Sequence, residues 1–509
     1  MKNTFVTRKA VALTSGLALL AAGSAFATDQ ALLDALVRKG ILTDKEAGAI
    51  EQEVSKEANA PAVTTSESKI KIGDWVQELK IYGDIRMRYQ YDDSEPQIGP
   101  APRQTNFADV SQRSRWRFRL RLNADFKLND NFFGGFGLQT NNAADSANQT
   151  FTQGFDNYGI YINKAFLGYT PTDGLTFIVG KQANPFYTTD LFWDPDIFPQ
   201  GLVERVDFHK LFNLSFGEAG PSPDGKAPVA PAPEKPRSSL EVSLVAGQFI
   251  FYDNNESNAV TTKTGRINQD AYEFETQLLT RLNLGKNLTL TWAPGVFITN
   301  DAEVGSAGNP SQALLNEHAF NGNQKDELIL LGPGDITLRM GKLPIKLYWD
   351  LAYNTRGVDR WNNEYGPIFS AVTYNAARTA VNGYLPSSRI SPSFSDNFAW
   401  LVGLQIGQNK KKGDFSIYGN FRQVGLSSID PNLNDSDFAL SNLNVQGFKV
   451  GLAYNLTDFA VFAVTGYMSW NLTPNLYGGA ANSFANPTGT GIARDNATNV
   501  LQVDLNLQF

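Results

Sequence analysis

The chain has 509 residues, a formal net charge of −7 and no cysteine. The acidic balance argues against nucleic acid as the main partner. The missing thiols exclude a disulfide framework, thiol catalysis and haem attachment through Cys-x-x-Cys-His.

Residues 1–27 read as a secretory signal peptide. Lys2, Arg8 and Lys9 precede an apolar stretch from Ala10 to Ala22, and Ala25-Phe26-Ala27 is a small-x-small cleavage site. The competing reading is an uncleaved anchor, but the apolar run falls short of the ~20 residues a spanning helix needs. Cleavage before Thr28 removes the three cations and takes the net charge from −7 to −10. Residues 28–57 read as a short helical hairpin. Leu32, Leu33, Leu36 and Val37 share one face, Gly40 suits a C-cap, and Thr43-Asp44-Lys45-Glu46 is a capping box. Two readings stand together here: a solvated hairpin with a thin apolar face, or a periplasmic oligomerisation or docking element. Residues 58–79 read as a linker.

From residue 80 the apolar period changes from helical to two. Ile81, Ile85, Met87 and Tyr89 alternate with Tyr82, Asp84, Arg86 and Arg88. Trp116, Phe118, Leu120 and Leu122 alternate with a row of arginines, and the rule returns at 272–278, 345–354, 398–406 and 448–454. These runs last about 10–13 residues, where strands of soluble proteins average about 5–6 and a tilted transmembrane strand needs about 9–11. Charges on the inward face would ruin a sandwich core but are solvated in a wet lumen. Short and long links alternate along the chain, the rhythm of short periplasmic turns and long outer loops. Residues 213–237, long and Pro-rich, fall where a short turn is due. They read as a disordered insertion; as an outer loop they would change the strand count.

These features predict an all-β fold: a transmembrane antiparallel up-and-down β-barrel over 80–509, with about sixteen strands, fourteen or eighteen being the alternatives. A short N-terminal periplasmic α-helical segment precedes it. The last strand alternates Leu501, Val503, Leu505 and Leu507 with polar residues and stops on Phe509. This ending resembles the C-terminal signature read by the barrel-assembly machinery of outer-membrane proteins.

The most charged feature is an arginine ladder. Arg113, Arg115, Arg117, Arg119 and Arg121 lie two residues apart on one strand face, and Arg86 and Arg88 lie on the preceding strand. Either they form a positive wall that guides anions, or they form a structural lattice with nearby acids; both can hold together. The third long link carries Asp190, Asp194 and Asp196, which are placed to face that wall. Glu241, Glu273, Glu275 and Asp350 point inward by alternation from the middle of the barrel. The Asp-x-Asp spacing fits no specific calcium loop, so no metal or cofactor is assigned. The two histidines, His209 and His318, are isolated, which leaves no Ser–His pair for hydrolysis and predicts no enzyme.

Gly180-Lys181-Gln182-Ala183-Asn184-Pro185-Phe186, the Asp194-Pro195-Asp196 element and Gly201 resemble the bacterial "putative porin" family. Lys39 to Ala47 is similar to that family and to phosphate-type porins. The resemblance implies a diffusion porin, trimeric, in the outer membrane of a Gram-negative bacterium, in contact with lipid and lipopolysaccharide. In general porins the third outer loop folds inward, so the resemblance also implies a constriction at Asp190, Asp194 and Asp196. The expected function is passive diffusion of small hydrophilic solutes or ions. The alternative is a scaffold barrel housing a periplasmic electron-transfer or export partner. A gated transporter would need a plug, and the segment before the barrel is too short for the plugged 22-stranded type.

Overall fold

The computed structural model describes residues 73–94, 112–212, 239–252, 270–300, 326–341, 343–362, 372–374, 381–384, 393–431, 433–441, 443–473 and 498–509. The signal segment, the helical hairpin, the 213–237 insertion and His318 lie outside them. The strands are β1 (Val76–Ser94), β2 (Gln112–Leu128), β3 (Phe132–Thr140), β4 (Ile160–Thr172), β5 (Leu175–Lys181), β6 (Gln200–Asp207), β7 (Ser239–Tyr252) and β8 (Ala271–Leu284). They continue as β9 (Leu288–Trp292 and Gly295–Asn300), β10 (Leu328–Leu331 and Gly334–Met340), β11 (Leu343–Asn354) and β12 (Phe398–Gly407). Last come β13 (Phe415–Val424), β14 (Val445–Asn455), β15 (Ala460–Asn471) and β16 (Thr498–Gln508).

Each strand pairs antiparallel with the next, and β16 returns to β1 from Asp84↔Gln508 to Ser94↔Thr498, closing a barrel of 16 strands. Closure lets the first and last strands satisfy each other's ladder groups along the paired stretch. The period of two sorts the faces. Ile81, Trp116 and Val450 point out and are exposed, while Asp84, Arg88, Gln90 and Asp92 point in and are buried.

Local chemistry explains where the strands turn and break. The β2–β3 turn places Asp130 at φ 58° and Asn131 at φ 63°, a left-handed conformation that Asp and Asn tolerate better than bulkier residues. Strands β9 and β10 are interrupted side by side at Pro294 and Pro333, each lacking an N–H. Their carbonyls still accept, from Leu278 N and Ala293 N, both at 2.9 Å. At the seam, the Phe509 ring lies on Gly83, where a Cβ would come within 2.8 Å of its Cζ. Gly83 N donates to Phe509 O at 2.9 Å.

Two boundaries differ from the sequence expectation. The first strand begins at Val76, inside the stretch read as linker, because pairing with Leu128 and Lys127 extends the ladder below the alternating run. Strands β5 and β6 have 7 and 8 residues, shorter than the expected run. Here the chain leaves the wall early and turns into the lumen.

Candidate functional site

The inward turn begins at the Gly180–Phe186 motif. Gly180 takes φ +118°, and Lys181 Nζ donates to Phe198 O at 2.8 Å, closing the neck of loop 3, residues 182–199. Asn184 Oδ1 accepts from Phe186 N at 2.9 Å, a side-chain turn of the kind Asn favours. Phe186 then packs with Val203, Val245 and Phe249 on the lumen face of β6 and β7. The motif thus bends the chain inward and pins its first turn.

Beyond the neck, loop 3 crosses to the opposite wall. Gln277 exchanges two hydrogen bonds with the Tyr187 backbone, each 2.8 Å, and Tyr187 OH donates to Asp335. Asp350 Oδ2 accepts from Thr189 Oγ1 at 2.7 Å. Glu275 Oε2 accepts from Trp193 Nε1 at 2.9 Å. Leu191, Phe192 and Trp193 are buried against Phe297, Ile329, Leu331, Ala352 and Leu401 of β9–β12, and against Trp361 of the following link. On this side the lumen holds a dry core.

A second loop enters from the same end. Loop 7, residues 425–444, contributes Leu426, Ile429, Leu433, Phe438 and Leu443 to that core. Asp194 N donates to Leu433 O at 2.6 Å, and Asp194 Oδ2 accepts from Ser436 N at 2.9 Å. Arg422 on β13 locks both loops, with Asp190 at 2.9 Å and Asp435 at 3.2 Å. Lys449 on β14 adds a 2.5 Å bond to Asp190.

The other side of the lumen is the arginine wall, and most of it is paired. Arg119 and Arg121 grip Asp84, each at 2.7 Å, and reach Asp196 at 3.9 and 3.3 Å. Arg113 and Arg115 share Asp92 at 3.1 and 3.2 Å. Arg88 pairs with Asp504 at 2.7 Å and with Asp437 of loop 7 at 3.3 Å. Arg117 instead donates to Gln90 and to Asn148 O, at 3.1 Å each. Arg86 donates to Asn148 Oδ1 at 2.5 Å. Among the described residues, neither Arg86 nor Arg117 has a carboxylate within 4.0 Å.

Wall and loops meet around a cavity of about 310 Å³. Its lining includes Arg86, Arg119 and Arg121 of the wall, Lys449 of β14, the loop acids Asp190, Asp194, Asp196, Asp435 and Asp437, and Asp145, Ser146 and Asn148 of loop 2. The loop acids titrate differently. Burial raises Asp194 to about 9, aided by repulsion from Asp435 and Asp196. Asp190 pays a desolvation cost, yet Arg422 and Lys449 outweigh it and hold its carboxyl well below the usual carboxylate range. Asp437 is likewise lowered, since Arg88, Arg86 and Arg117 outweigh its burial.

Glu273, Glu275 and Asp350 point inward but are covered, the last two serving as anchors for loop 3. Glu241 pairs with Arg281 at 3.5 Å, away from the cavity. His209 sits in the short helix Phe208–Leu211 after β6. Sequence reasoning missed Asp435 and Asp437, and also Arg422 and Lys449. The last two occupy inward positions of β13 and β14 and follow from the same alternation. Loop 7 carried a signal too: six large apolar residues, Leu426, Ile429, Leu433, Phe438, Leu440 and Leu443, in a mostly polar link.

Residues 93–321 match the family described as "Putative porin". The resemblance read from Gly180 to Gly201 lies inside that match and holds. No curated protein matches the chain. Solved structures similar to it include "Salmonella typhi OmpF complex with Daunomycin", 10% identical, covering 85% of this chain and 97% of that one at TM-score 0.40. Another is the "Anion-selective porin from Comamonas acidovorans", 9% identical, covering 85% and 99% at TM-score 0.38. A third is the trimer form of in-vitro folded OmpT, an outer membrane protein of Vibrio cholerae, 10% identical, covering 85% and 99% at TM-score 0.38.

Proposed function

We propose that this chain is an outer-membrane porin, a passive diffusion channel for small hydrophilic solutes and ions. Its short turns would face the periplasm and its long loops the exterior. Solutes would pass between the arginine wall and the acids of loops 3 and 7. The observation that carries this reading is the cavity lined both by wall cations, Arg86, Arg119 and Arg121, and by acids of the two loops, Asp190, Asp196 and Asp437. Rings of fixed charge at a narrowing select permeants by sign and size with no chemical step, so an enzymatic role is not needed.

The scaffold reading fares worse on one observation. A barrel that sheathes a partner needs an empty bore, whereas Phe192, Trp193, Trp361 and Leu426 fill much of this one with packed apolar side chains. A homotrimer in lipopolysaccharide-bearing membrane, assembled through the Phe509 signature, completes the proposal. Purified protein reconstituted in planar bilayers should give stepwise conductance, and crosslinking in detergent should trap trimers. Insertion without conductance would refute the channel and return the scaffold to first place.

A further inference from the structure

One patch on the outside of the barrel breaks the apolar rule. On β6 the inward Val203 and Asp207 are buried, so by alternation Leu202, Glu204 and Val206 face outward. Across the ladder Glu204 stands between Phe177 of β5 and Ala246 of β7, and Ala246 stands beside Thr276 of β8. In the next outward row Leu202 stands beside Gln248, and Gln248 beside Phe274. Gln248 Nε2 donates to Glu204 Oε1 at 3.3 Å. Among the described residues no cation lies within salt-bridge distance of Glu204, and away from the strand ends no other carboxylate takes an outward position. The patch is not at the rim. Val179, Ile250, Phe274 and Leu278 surround it, all exposed, and on β7 the outward Leu240, Val242 and Leu244 precede it. Hydrocarbon tails offer a carboxyl or an amide no hydrogen-bond partner, so polar side chains at this depth are stable where protein covers them.

We infer that the outer face of β6–β8 around Glu204 and Gln248 is covered by a second copy of this chain and forms the seam between protomers. The inference rests on the homotrimer of the proposed function and names the face through which its copies meet. The patch is chemically complementary to itself. Gln248 brings amide donors and an acceptor, Thr276 a hydroxyl that does both, and Glu204 two acceptor oxygens. One amide N–H of Gln248 is spent within the protomer; the other is left for Glu204 of a neighbouring copy. Close to the axis of a cyclic assembly the same residues of every copy converge, so a self-matching set is what that position requires. Ala246, between Glu204 and Thr276, adds little bulk and lets the copies approach. Bonds made there face no competition from water.

The chain has no cysteine, so a single introduced one reports cleanly. Gln248→Cys, and Val450→Cys on β14 as an outward control, are each labelled with bimane and reconstituted in phosphatidylcholine vesicles containing nitroxide-bearing lipid. Quenching at position 248 should be several-fold weaker than at 450, and a short bis-maleimide should join the unlabelled 248 variant, but not the 450 variant, into covalent dimers. Glu204→Leu suits lipid but removes the seam's acceptor. It should raise quenching at 248 several-fold and lower the fraction of oligomer that survives mild heating in detergent, while single-channel conductance is kept. Glu204→Gln should retain more of the oligomer than Glu204→Leu. Equal quenching at 248 and 450 in a trimeric preparation would overturn the inference and move the seam to another face. Weak quenching at 248 in a monomeric preparation would overturn it too, since no second copy is then the cover. A monomer quenched equally at both positions would remove the homotrimer and this inference with it. Conductance of the same preparation decides the channel separately.

Discussion

The two sides of the lumen solve different problems with different chemistry. On the side of β1, β2 and β16, inward arginines and aspartates form an ion-pair lattice among neutral polar residues such as Gln90 and Gln502. On the side of β8–β13, inward residues and two loops build an apolar core, with Glu275 and Asp350 spent on tying loop 3 down. The dry side fixes where the loops stand; the charged side is the one proposed to meet the solute. A charge at a narrowing acts strongly only if it cannot drift, so the precision of the second side depends on the packing of the first.

That division can be broken most severely at Trp193. Trp193→Ala removes a side chain 2% exposed, and losses of about 3–5 kcal/mol are usual for such truncations. The barrel should still assemble, because its ladder does not involve loop 3, while the loop detaches and unit conductance rises several-fold. Arg422→Gln attacks the clamp between the loops. Breaking a buried ion pair costs about 3–5 kcal/mol, here toward the lower end because Lys449 still faces Asp190. The expected result is a noisier, wider channel and faster proteolysis of loop 7. Acid should imitate this partly. Asp190 has a lowered carboxyl, so its contribution is present above the ordinary carboxylate range and is lost as pH falls below it; conductance should rise there.

Selectivity changes should be smaller and should sort the arginines. Arg86→Gln with Arg117→Gln removes cations without carboxylate partners and should move the reversal potential toward cations. Arg113→Gln, which frees Asp92 from only one of two partners, should move it less. Combined replacement of Arg115, Arg117 and Arg119 by Gln should lower the anion-to-cation ratio; an unchanged ratio would make the ladder purely structural. A subtler effect follows from Asp194, which faces Asp196, Asp435, Asp437 and Asp145 as well as Arg86, Arg119, Arg121 and Lys449. Its raised carboxyl stays protonated at neutral pH and ionises as pH rises through about 9. Cation preference should increase over that window in the wild type and stay flat in Asp194→Asn. Lys411→Ala, at an exposed turn pair with Asp458, should leave both conductance and selectivity unchanged.

The wall was far more legible than the loops. A period of two sorts Ile81 from Asp84 and Trp116 from Arg117 without knowledge of any contact, because pleated geometry enforces it. It also marked Asp84 and Asp504 as inward, so the pairing of Arg119 and Arg88 was within reach. Loop 3 announced itself through Gly180, Asn184 and Pro185, residues with local turn chemistry. Loop 7 did not: Leu426, Ile429 and Leu433 follow no regular period, and their burial depends on Trp193 and Phe297, distant in sequence. The early end of β5 was hidden for a related reason, since Gly180 and Lys181 continue the ladder while already serving the loop.

The central claim is that solutes cross between uncompensated arginines and the fixed loop acids. Reversal potential in a KCl gradient across a planar bilayer, compared for the wild type and the Arg86→Gln/Arg117→Gln variant, tests it most directly. Both should form open channels, and the variant's reversal potential should shift clearly toward cations. Identical reversal potentials, or a wild type that inserts and does not conduct, would contradict it.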